Sequence, residues 1–374
     1  MAEDFKVTPW EVTGDIDYDL LAERFGTTPI DDKLLARLSR YGKPHMMLRR
    51  GIFYAHRDLN ITLDEYDKGN KFALYTGRGP SGYTHLGHIM PWMFNKWVQD
   101  VFGAEMYFQL TDDEKFLFKQ DLSLSDTRKM AYENALDMIA LGFDPKKTKI
   151  ILDTENVKTL YPIALKVAKK INLSTAKAVF GFDNTTNIGS IFYTSMQAAP
   201  AFLPSELAGK NVPCLIPCGI DQDPHFRAAR DVAQGIGYAK PSQIYCKMFP
   251  GLSGADKMSS SDPVSTIYTT DDAKEVKKKV GKAFTGGCVS VDEQREKGGN
   301  PEVCAVFKYN YYLFEEDDAK LDDITKRCRE GKILCGECKV ALTEKINAFL
   351  ERHREKREKA KDVINDMTFE GFRW

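Results

Sequence analysis

The sequence lacks any long hydrophobic run. Among its 374 residues, no apolar stretch reaches the roughly 18 residues that a membrane-spanning helix requires. The first residues are acidic and polar, whereas a secretory signal peptide begins basic and continues apolar. We therefore expect no membrane segment and a cytoplasmic location.

Net charge is also nearly absent, and no residue class dominates. The chain carries 53 Lys and Arg against 54 Asp and Glu, and it is 43% hydrophobic and 29% charged. This composition excludes an intrinsically disordered or fibrous protein. No internal repeat or low-complexity tract occurs either. A globular chain of this length is expected to form two or three domains.

Cysteine is missing from the first half of the chain. A chain of this length does not need disulfides for stability, so the eight cysteines of the second half are expected to be free thiols. Cys335 and Cys338 have the spacing of a metal-binding pair, with Cys328 upstream, but no second pair follows at zinc-ribbon distance. We interpret them as ordinary thiols at a helix start and predict no metal site.

The pattern of apolar residues changes along the chain. Residues 1–70 form polar segments typical of short helices, interpreted as an appended N-terminal segment. From residue 71, strand and helix patterns alternate, which predicts an α/β fold with a Rossmann-like parallel sheet. This domain is expected to span 71–262 and to contain a helical insertion at about 154–205. Strands are predicted at 71–76, 105–110, 149–152 and 212–219.

The remaining residues are entirely helical in pattern. They predict an all-α C-terminal domain over 263–364, followed by an aromatic tail, 365–374, that docks back on the α/β domain.

Two histidines flank a glycine just after a glycine-rich loop that follows the first of these strands. Backbone N–H groups at a helix N-terminus attract anions, and the imidazoles of His85 and His88 can donate to phosphate oxygens. Gly87 leaves room for a flat ring against the backbone. The segment has the outline of a nucleotide-phosphate site, and two structural histidines are the alternative.

A second motif, Lys-Met-Ser-Ser-Ser at 257–261, lies in a loop of small residues without hydrophobic periodicity. A lysine on such a loop can close over a triphosphate and neutralise the charge that grows on a departing pyrophosphate. A solvated serine-rich loop is the alternative interpretation. The two motifs in this order resemble those of class I aminoacyl-tRNA synthetases.

Four further segments, 75–81, 109–115, 196–200 and 219–224, resemble the eukaryotic cytosolic type of tryptophanyl-tRNA synthetase. The resemblance runs from about Pro9 to the C-terminus. It implies catalytic roles for His85, His88, Lys257 and Ser259. It implies ATP binding by Thr76, Gly77, Arg78, Gly87, Met258, Ser260 and Ser261. It places Tyr75 and Gln109 at the indole N–H, Glu114, Gln197 and Gln222 around the amino-acid end of the pocket, and Lys115 at the substrate carboxylate.

The residue types suit this pocket. A buried indole has one donor, so the pocket needs an acceptor at one point and apolar walls elsewhere. A pocket with such an acceptor rejects phenylalanine, because its polar atoms would be left unpaired. A strand Tyr or Gln that merely satisfies a neighbouring group is the alternative for each position.

The resemblance implies a two-step reaction. The tryptophan carboxylate attacks the α-phosphorus of ATP, assisted by Mg²⁺, and a ribose hydroxyl of the terminal adenosine of tRNA(Trp), the 2′-OH, then attacks the adenylate. The implied partners are L-tryptophan, tRNA(Trp) and a second copy of the chain in a homodimer.

The helical domain is where tRNA is expected to bind, as an anticodon-binding domain. Residues 271–374 carry 22 Lys and Arg and 22 Asp and Glu, so only a local basic patch can serve. The candidates are the mixed-sign run 352–361 and the patch of Lys277, Lys278 and Lys279. A solvated, salt-bridged face is the alternative for the run.

Three other functions fit parts of the pattern. A tyrosyl enzyme of the same subclass would show both motifs, but the segments at 111–115 and 197–200 favour tryptophan. A nucleotidylyltransferase would need no helical C-terminal domain, and an inactive tRNA-binding relative would have lost a signature residue.

Overall fold

A seven-stranded sheet organises the chain in the computed structural model, which describes residues 5–7, 12–14, 16–255, 257–259 and 262–374. The strand order is β3-β4-β9-β8-β5-β6-β7, and a separate two-stranded ribbon joins β1 and β2. The strands are β1 Phe5–Val7, β2 Val12–Gly14, β3 Thr28–Pro29, β4 Phe53–Arg57, β5 Ala73–Arg78, β6 Glu105–Leu110, β7 Thr148–Leu152, β8 Cys214–Gly219 and β9 Ser242–Cys246.

The helices of the first two thirds of the chain surround this sheet. They are α1 Tyr18–Phe25, α2 Asp32–Leu38, α3 Met46–Arg49, α4 Leu59–Asp67, α5 Leu86–Phe102, α6 Asp112–Phe118, α7 Leu124–Ile139, α8 Val157–Ala168, α9 Leu173–Phe180, α10 Ile188–Ala198, α11 Leu203–Ala208 and α12 Asp223–Ala233. Short 3-10 turns at Ala199–Ala201, Ile220–Gln222 and Gln234–Ile236 connect some of them.

The sheet is dominated by parallel strands, as the sequence pattern predicted, and two antiparallel strands extend it at one edge. Strands β9, β8, β5, β6 and β7 run parallel, but β4 pairs antiparallel with β9, and β3 pairs antiparallel with β4. Residues 1–70 therefore contribute strands as well as short helices. Since β4 covers the edge of β9, it satisfies backbone groups that would otherwise face solvent.

Side chains alternate between the two faces of the sheet, and each face packs its own core. Leu74 and Phe108 belong to a cluster with residues of α5, α7 and the long C-terminal helix Cys335–Val363, whereas Tyr107 packs in a cluster with α8, α10 and α12. The strands therefore read as nearly continuous apolar runs, as expected for a sheet covered on both faces.

The C-terminal third contains only helical segments among the residues that the structure describes. They are α13 Ala273–Gly281, α14 Val291–Lys297, α15 Ala305–Tyr309, a π-helical turn Asn310–Phe314, α16 Asp318–Arg329, α17 Cys335–Val363 and the 3-10 turns Ile364–Asp366 and Phe369–Gly371. None of the described helices is both long and apolar enough to cross a membrane.

The last residues pack against the α/β domain. Ile150 of β7 donates its backbone N–H to the carbonyl of Met367 at 2.7 Å, and the Asn156 side chain donates to the carbonyl of Phe369 at 2.9 Å. The Trp374 ring lies 5.6 Å from that of Tyr132 on α7. These contacts hold the end of the chain beside the edge strand β7.

Candidate active site

One cavity of about 530 Å³ opens at the carboxyl ends of β5, β6 and β8. This is the end of an open α/β sheet at which ligands bind. All predicted site residues that the structure describes lie in its wall, while Ser260 and Ser261 lie outside the described residues. Those in the wall are Tyr75, Thr76, Gly77, Arg78, His85, Gly87, His88, Gln109, Glu114, Lys115, Gln197, Gln222, Lys257, Met258 and Ser259.

A hydrogen-bonded chain of buried polar groups lies on one side of the cavity. The Tyr75 hydroxyl lies 2.5 Å from Gln109 Oε1 and 2.7 Å from the carbonyl of Gln197. Gln109 Nε2 donates to both carboxyl oxygens of Asp153, at 2.8 and 2.9 Å. Because Asp153 takes both Nε2 contacts, the acceptor oxygen of Gln109 points towards Tyr75. The Phe226 ring stands edge-on to the Tyr75 ring at 5.7 Å and supplies an apolar wall.

Asp153 shares this region with another acid. Burial, and then the charge of Asp113, raise the pKa of Asp153 well above its usual range. Burial also raises the pKa of Asp113 to about 7, although a hydrogen bond to Asp153 opposes this. The two carboxyl groups therefore retain a proton near neutral pH, since two adjacent buried carboxylates repel each other.

Glu114 is an ionised carboxylate in the wall of the cavity. Lys115 Nζ lies 2.8 Å from Glu114 Oε1, and the hydroxyls of Thr111 and Tyr193 donate to Oε2 at 2.7 and 3.2 Å. Burial alone would raise the pKa of Glu114, but the charge of Lys115 and these hydrogen bonds hold it below its usual value. Across the pocket, Gln197 Nε2 donates to Gln222 Oε1 at 3.2 Å.

The two motif histidines lie at the start of α5 with their ring centroids 3.7 Å apart. The backbone N–H of His85 donates to His88 Nδ1 at 3.3 Å, which leaves Nε2 of His88 as the protonated nitrogen. Burial, followed by the charges of Arg78 and Lys257, lowers the pKa of His85 to about 3, and burial holds the pKa of His88 well below its usual value. Both rings are therefore neutral N–H donors at pH 7.

Gly87 permits a close approach between α5 and the lysine loop, the segment of residues 257–259. A Cβ on Gly87 would lie 3.0 Å from the His85 ring and 3.7 Å from Met258 Cβ. Met258 is buried, and its backbone N–H donates to the carbonyl of Phe249 at 2.6 Å. The glycine thus lets the lysine loop rest against the histidines.

Lys257 is held near the cavity by an acid. Its Nζ lies 3.5 Å from Asp221 Oδ2, and its side chain is 39% exposed, so the ammonium has room to move. The next residues are anchored through Ser259, whose carbonyl accepts from the Thr266 hydroxyl at 2.7 Å and from the Asp262 N–H at 3.0 Å. The lysine therefore sits on a supported segment and pairs with a side chain that a more negative ligand can replace.

The Arg78 side chain forms hydrogen bonds that stabilise the glycine-rich loop, residues 77–82, and the segment after it. Its guanidinium donates to the Thr84 hydroxyl and to the carbonyl of Ser81, both at 2.7 Å. Arg78 Nε and His85 Nδ1 are buried without a hydrogen-bond partner among the residues that the structure describes. These unpartnered polar atoms in the wall of the cavity suit a polar ligand such as a nucleotide.

Several residues of the wall are not predicted by the sequence pattern. Tyr193, Asp221 and His225 line the cavity, and burial lowers the pKa of His225 to about 4. Tyr193 and His225 come from helices α10 and α12, where no local motif marks them. Asp221 could have been found, since it lies inside the segment 219–224 already singled out.

One candidate patch for tRNA was wrong in part. Lys279 is buried, and its Nζ lies 2.6 Å from Asp271 Oδ2 and 2.9 Å from the carbonyl of Thr266. It anchors α13 internally, because both contacts join it to residues that precede the helix. Lys277 and Lys278 remain exposed.

In the mixed-sign run 352–361, two residues pair with a buried acid and other basic residues are exposed. His353 Nε2 lies 2.9 Å from the buried Asp137 of α7, and Arg357 Nε lies 3.2 Å from the same carboxylate. Arg352, Lys356 and the other exposed basic residues of the run face solvent.

The chain is similar to known proteins along almost its whole length. The family described as tRNA synthetases class I (W and Y) matches residues 67–351. Tryptophan–tRNA ligase of Pyrobaculum aerophilum is 53% identical over 98% of both chains. That of Sulfolobus acidocaldarius is 48% identical over 99% of this chain and 97% of its own. The crystal structure of tryptophanyl-tRNA synthetase from Plasmodium falciparum matches with a TM-score of 0.89 at 38% identity, covering 95% of this chain and 98% of its own.

The fold, the cavity and the family match define a class I aminoacyl-tRNA synthetase, an enzyme that uses ATP as a substrate. Because relatives similar along almost the whole chain are tryptophan–tRNA ligases, the chain belongs to that family and not to the tyrosyl enzymes. These two relatives are archaeal, so the narrower assignment to the eukaryotic cytosolic type is not confirmed.

Proposed function

We propose that this cavity carries out both steps of tryptophan–tRNA ligation. The arrangement that supports the proposal most directly is the buried chain from Tyr75 through Gln109 to Asp153, in the same cavity as His85 and Lys257.

Tryptophan recognition rests on two oriented oxygen atoms. With Asp153 holding Gln109 Nε2, Gln109 Oε1 and the Tyr75 hydroxyl oxygen both present lone pairs to the pocket. Either can accept the indole N–H, and phenylalanine would leave both without that donor. Tyrosine is excluded by the polar mismatch of its hydroxyl with the apolar walls, to which Phe226 belongs.

The charged end of the substrate meets charged groups. The Glu114 carboxylate suits the ammonium of tryptophan, and the Lys115 ammonium suits its carboxylate. Gln197 and Gln222, already bonded to each other across the pocket, are proposed to close over this end.

Catalysis is proposed to consist of positioning and charge stabilisation. The tryptophan carboxylate attacks the α-phosphorus of ATP, and pyrophosphate departs carrying the bond electrons. His85 and His88 donate neutral N–H bonds to phosphate oxygens, while Lys257 exchanges Asp221 for the departing phosphates. A ribose hydroxyl of the terminal adenosine of tRNA then attacks the adenylate carbonyl and AMP departs.

Mg²⁺ is proposed to enter with ATP. No cluster of three His, Cys, Asp or Glu side chains suited to a metal ion occurs among the described residues, so the phosphates would supply most of its ligands. In that position Mg²⁺ would neutralise phosphate charge.

The remaining parts of the chain fit the same proposal. The helical domain, 263–364, would bind tRNA through its exposed basic residues. The tail, 365–374, would hold this domain against the catalytic domain. Two chains would form a homodimer, located in the cytoplasm. Solved eukaryotic structures and archaeal relatives both match over almost the whole chain, which supports a type shared by eukaryotes and archaea.

Amino-acid-dependent exchange between ATP and pyrophosphate tests the first step. Exchange is expected with tryptophan and not with tyrosine or phenylalanine. Lys257→Ala should lower kcat about 100-fold or more, with a smaller change in KM for tryptophan, because the lysine acts on developing charge. The matched control is Lys240→Ala, an exposed lysine outside the cavity.

Exchange driven by tyrosine would contradict the pocket assignment. A Lys257→Ala enzyme with unchanged kcat would contradict the role of the loop, whatever the amino-acid specificity.

A further inference from the structure

Among the described residues, three lysines line the wall of the active-site cavity, and two of them pair with an acid. Lys115 lies 2.8 Å from Glu114, and Lys257 lies 3.5 Å from Asp221. In the part of the chain that the structure describes, the ammonium of Lys247 has neither a hydrogen bond nor an ion pair. A cation that faces a cavity without a carboxylate partner is available to an anionic ligand.

The position of Lys247 is fixed by the fold. It directly follows β9, at the carboxyl end of a parallel strand, where open α/β sheets bind their ligands. Its backbone N–H donates to the carbonyl of Ile52 at 2.9 Å, and the N–H of Met248 donates to the Tyr18 hydroxyl at 2.8 Å. The N-terminal segment, 1–70, therefore holds the backbone of this lysine and of the residue after it.

Two tyrosine rings contact the ammonium group. Lys247 Nζ lies 5.6 Å from the centre of the Tyr18 ring and 5.9 Å from that of the Tyr54 ring, and the two rings meet edge to face at 5.2 Å. A cation is attracted to the negative face of an aromatic ring. A carboxylate would neutralise the charge of the lysine, whereas the rings orient the side chain and leave it cationic.

The surroundings of Lys247 add little negative charge. Burial raises the pKa of Tyr18 and of Tyr54, so both hydroxyls are neutral at pH 7. Burial also lowers the pKa of Lys247, and the charge of the exposed Asp19 opposes this. The ammonium is thus partly desolvated, and an anion that enters the cavity would compensate for the lost hydration.

Lys247 lies at the same end of the cavity as Lys257. Cys246, the residue before Lys247, is in register with Gly219 of β8, and Asp221 lies two residues after that glycine. Burial and then the charge of Asp221 raise the pKa of the Cys246 thiol, so this carboxylate lies close to the end of β9. Since Asp221 pairs with Lys257, the two lysines approach one region of the cavity from β9 and from the lysine loop.

We propose that Lys247 binds the phosphates of ATP, as a second lysine beside Lys257. This rests on the proposed function, in which Lys257 and the histidines of α5 contact the same phosphates. The Lys247 ammonium donates charge-assisted hydrogen bonds to phosphate oxygens and has no carboxylate to leave first. Lys257 exchanges Asp221 for phosphate, so it acts on the departing pyrophosphate. Lys247 instead contributes to binding of ATP before the reaction.

Calorimetric titration of the full chain with ATP and with inorganic pyrophosphate, each in the presence of Mg²⁺, tests the proposal. Lys247→Met keeps the aliphatic stem and removes the charge, so the Kd for both ligands should rise about 10- to 100-fold. Lys247→Arg keeps a cation and should recover most of the affinity. Lys240→Met changes an exposed lysine outside the cavity and is the matched control, with both Kd values unchanged.

Exchange kinetics separate this role from that of Lys257. Lys247→Met should raise KM for ATP, with kcat and KM for tryptophan changed less than about 3-fold, because the contact is made equally in the ground state and the transition state. A fall in kcat with an unchanged KM for ATP would contradict a binding role.

A double-variant cycle tests the part played by the rings. Tyr54→Leu removes one ring and should raise the Kd for ATP about 2- to 10-fold. If the ring acts through the lysine, Tyr54→Leu should add little to the loss already caused by Lys247→Met. Fully additive losses, at unchanged circular dichroism, would contradict the positioning of Lys247 by this ring.

Unchanged Kd values in Lys247→Met would overturn the proposal. A loss of affinity for ATP alone would also overturn it, since the lysine would then contact the nucleoside and not the phosphates. An equal loss in Lys240→Met would mean a general effect of charge. A parent chain that binds both ligands but shows no exchange with tryptophan would contradict the proposed function and not the role of Lys247, so the two failures are distinguishable.

Discussion

At the scale of single residues, the proposed specificity for tryptophan depends on buried polar atoms whose directions are set by neighbours. Tyr75 and Gln109 are fully buried, and burying polar atoms without partners costs free energy. Their bonds to each other and to Asp153 avoid that cost in the free chain. In the proposed binding mode the same bonds orient the oxygens for an indole N–H, so packing and recognition would use one set of contacts.

Tyr75→Phe should weaken tryptophan binding with little effect on kcat. The change removes one acceptor that is used equally in the ground state and the transition state, so KM for tryptophan should rise about 5- to 20-fold. Exchange kinetics with tryptophan and phenylalanine measure this. Tyr107→Phe, a neighbouring strand tyrosine outside the cavity, is the control, and an equal effect there would contradict a specific role.

The acid pair of Asp113 and Asp153 should make stability depend on pH. Because the pKa values of both groups are raised on folding, the folded chain retains protons that the unfolded chain has lost above about pH 4. Their contribution to the free energy of unfolding is therefore greatest in acid and falls as pH rises towards about 7.

Asp153→Asn removes one of the two acids and keeps an acceptor for Gln109. The free energy of unfolding of this variant minus that of the parent chain should increase by roughly 1–3 kcal/mol from pH 5 to pH 8. Denaturant unfolding at both pH values measures the difference. Asp121→Asn, a change at an exposed acid, should leave the pH dependence of the free energy of unfolding as it is in the parent chain. If Asp153→Asn also left it unchanged, the coupled pair would be excluded as the cause of that pH dependence.

At the scale of elements, a polar network connects the glycine-rich loop to the longest helix. Arg78 donates to Thr84, and a hydrogen bond from Thr84 helps to lower the pKa of Asp137 on α7. Asp137 in turn pairs with His353 and Arg357 of α17. The helical domain is therefore linked to the loop over the cavity by side chains that are mostly buried.

Asp137→Asn should destabilise the contact between α7 and α17. It leaves the partly buried Arg357 without its buried carboxylate, and breaking such a pair costs about 3–5 kcal/mol. Glu133→Gln removes the exposed partner of the same arginine and should cost below about 1 kcal/mol. Thermal unfolding of both variants compares them, and equal losses would contradict the difference in burial.

At the scale of the whole molecule, the helical insertion exposes an apolar stripe. Val157, Tyr161 and Leu165 follow one another at four-residue spacing on α8 and are 46%, 46% and 45% exposed. Apolar side chains at this spacing form one face of a helix, and a contiguous exposed face of this kind marks an interface. This stripe supports the proposed homodimer.

Tyr161→Glu should convert the proposed dimer to a monomer, because the change places a charge on the apolar stripe of each copy where the two copies would meet. Light scattering after size-exclusion chromatography measures the mass. Lys158→Glu changes the charge of an exposed position on the same helix beside the stripe and should leave the dimer intact. A dimeric Tyr161→Glu would place the interface elsewhere.

Much of the architecture could be predicted from local patterns. The strands β5, β6, β7 and β8 were recognised because each is an apolar run next to a turn or helix pattern. Strands β4 and β9 were missed, since β4 lies among polar helices and β9 follows a loop without a motif. Their pairing is a contact between residues about 190 positions apart, which no local pattern records.

The sequence by itself determined the family and predicted phosphate binding at the site, because His85, Gly87, His88 and Lys257 belong to two motifs whose residue types bind phosphate. Only the tertiary structure decided which groups act on them. The orientation of Gln109 by Asp153 joins residues 44 positions apart, and the burial of Lys279 follows from the packing of α13. Burial and hydrogen bonding are properties of the packed chain, so they become visible only when distant segments are brought together.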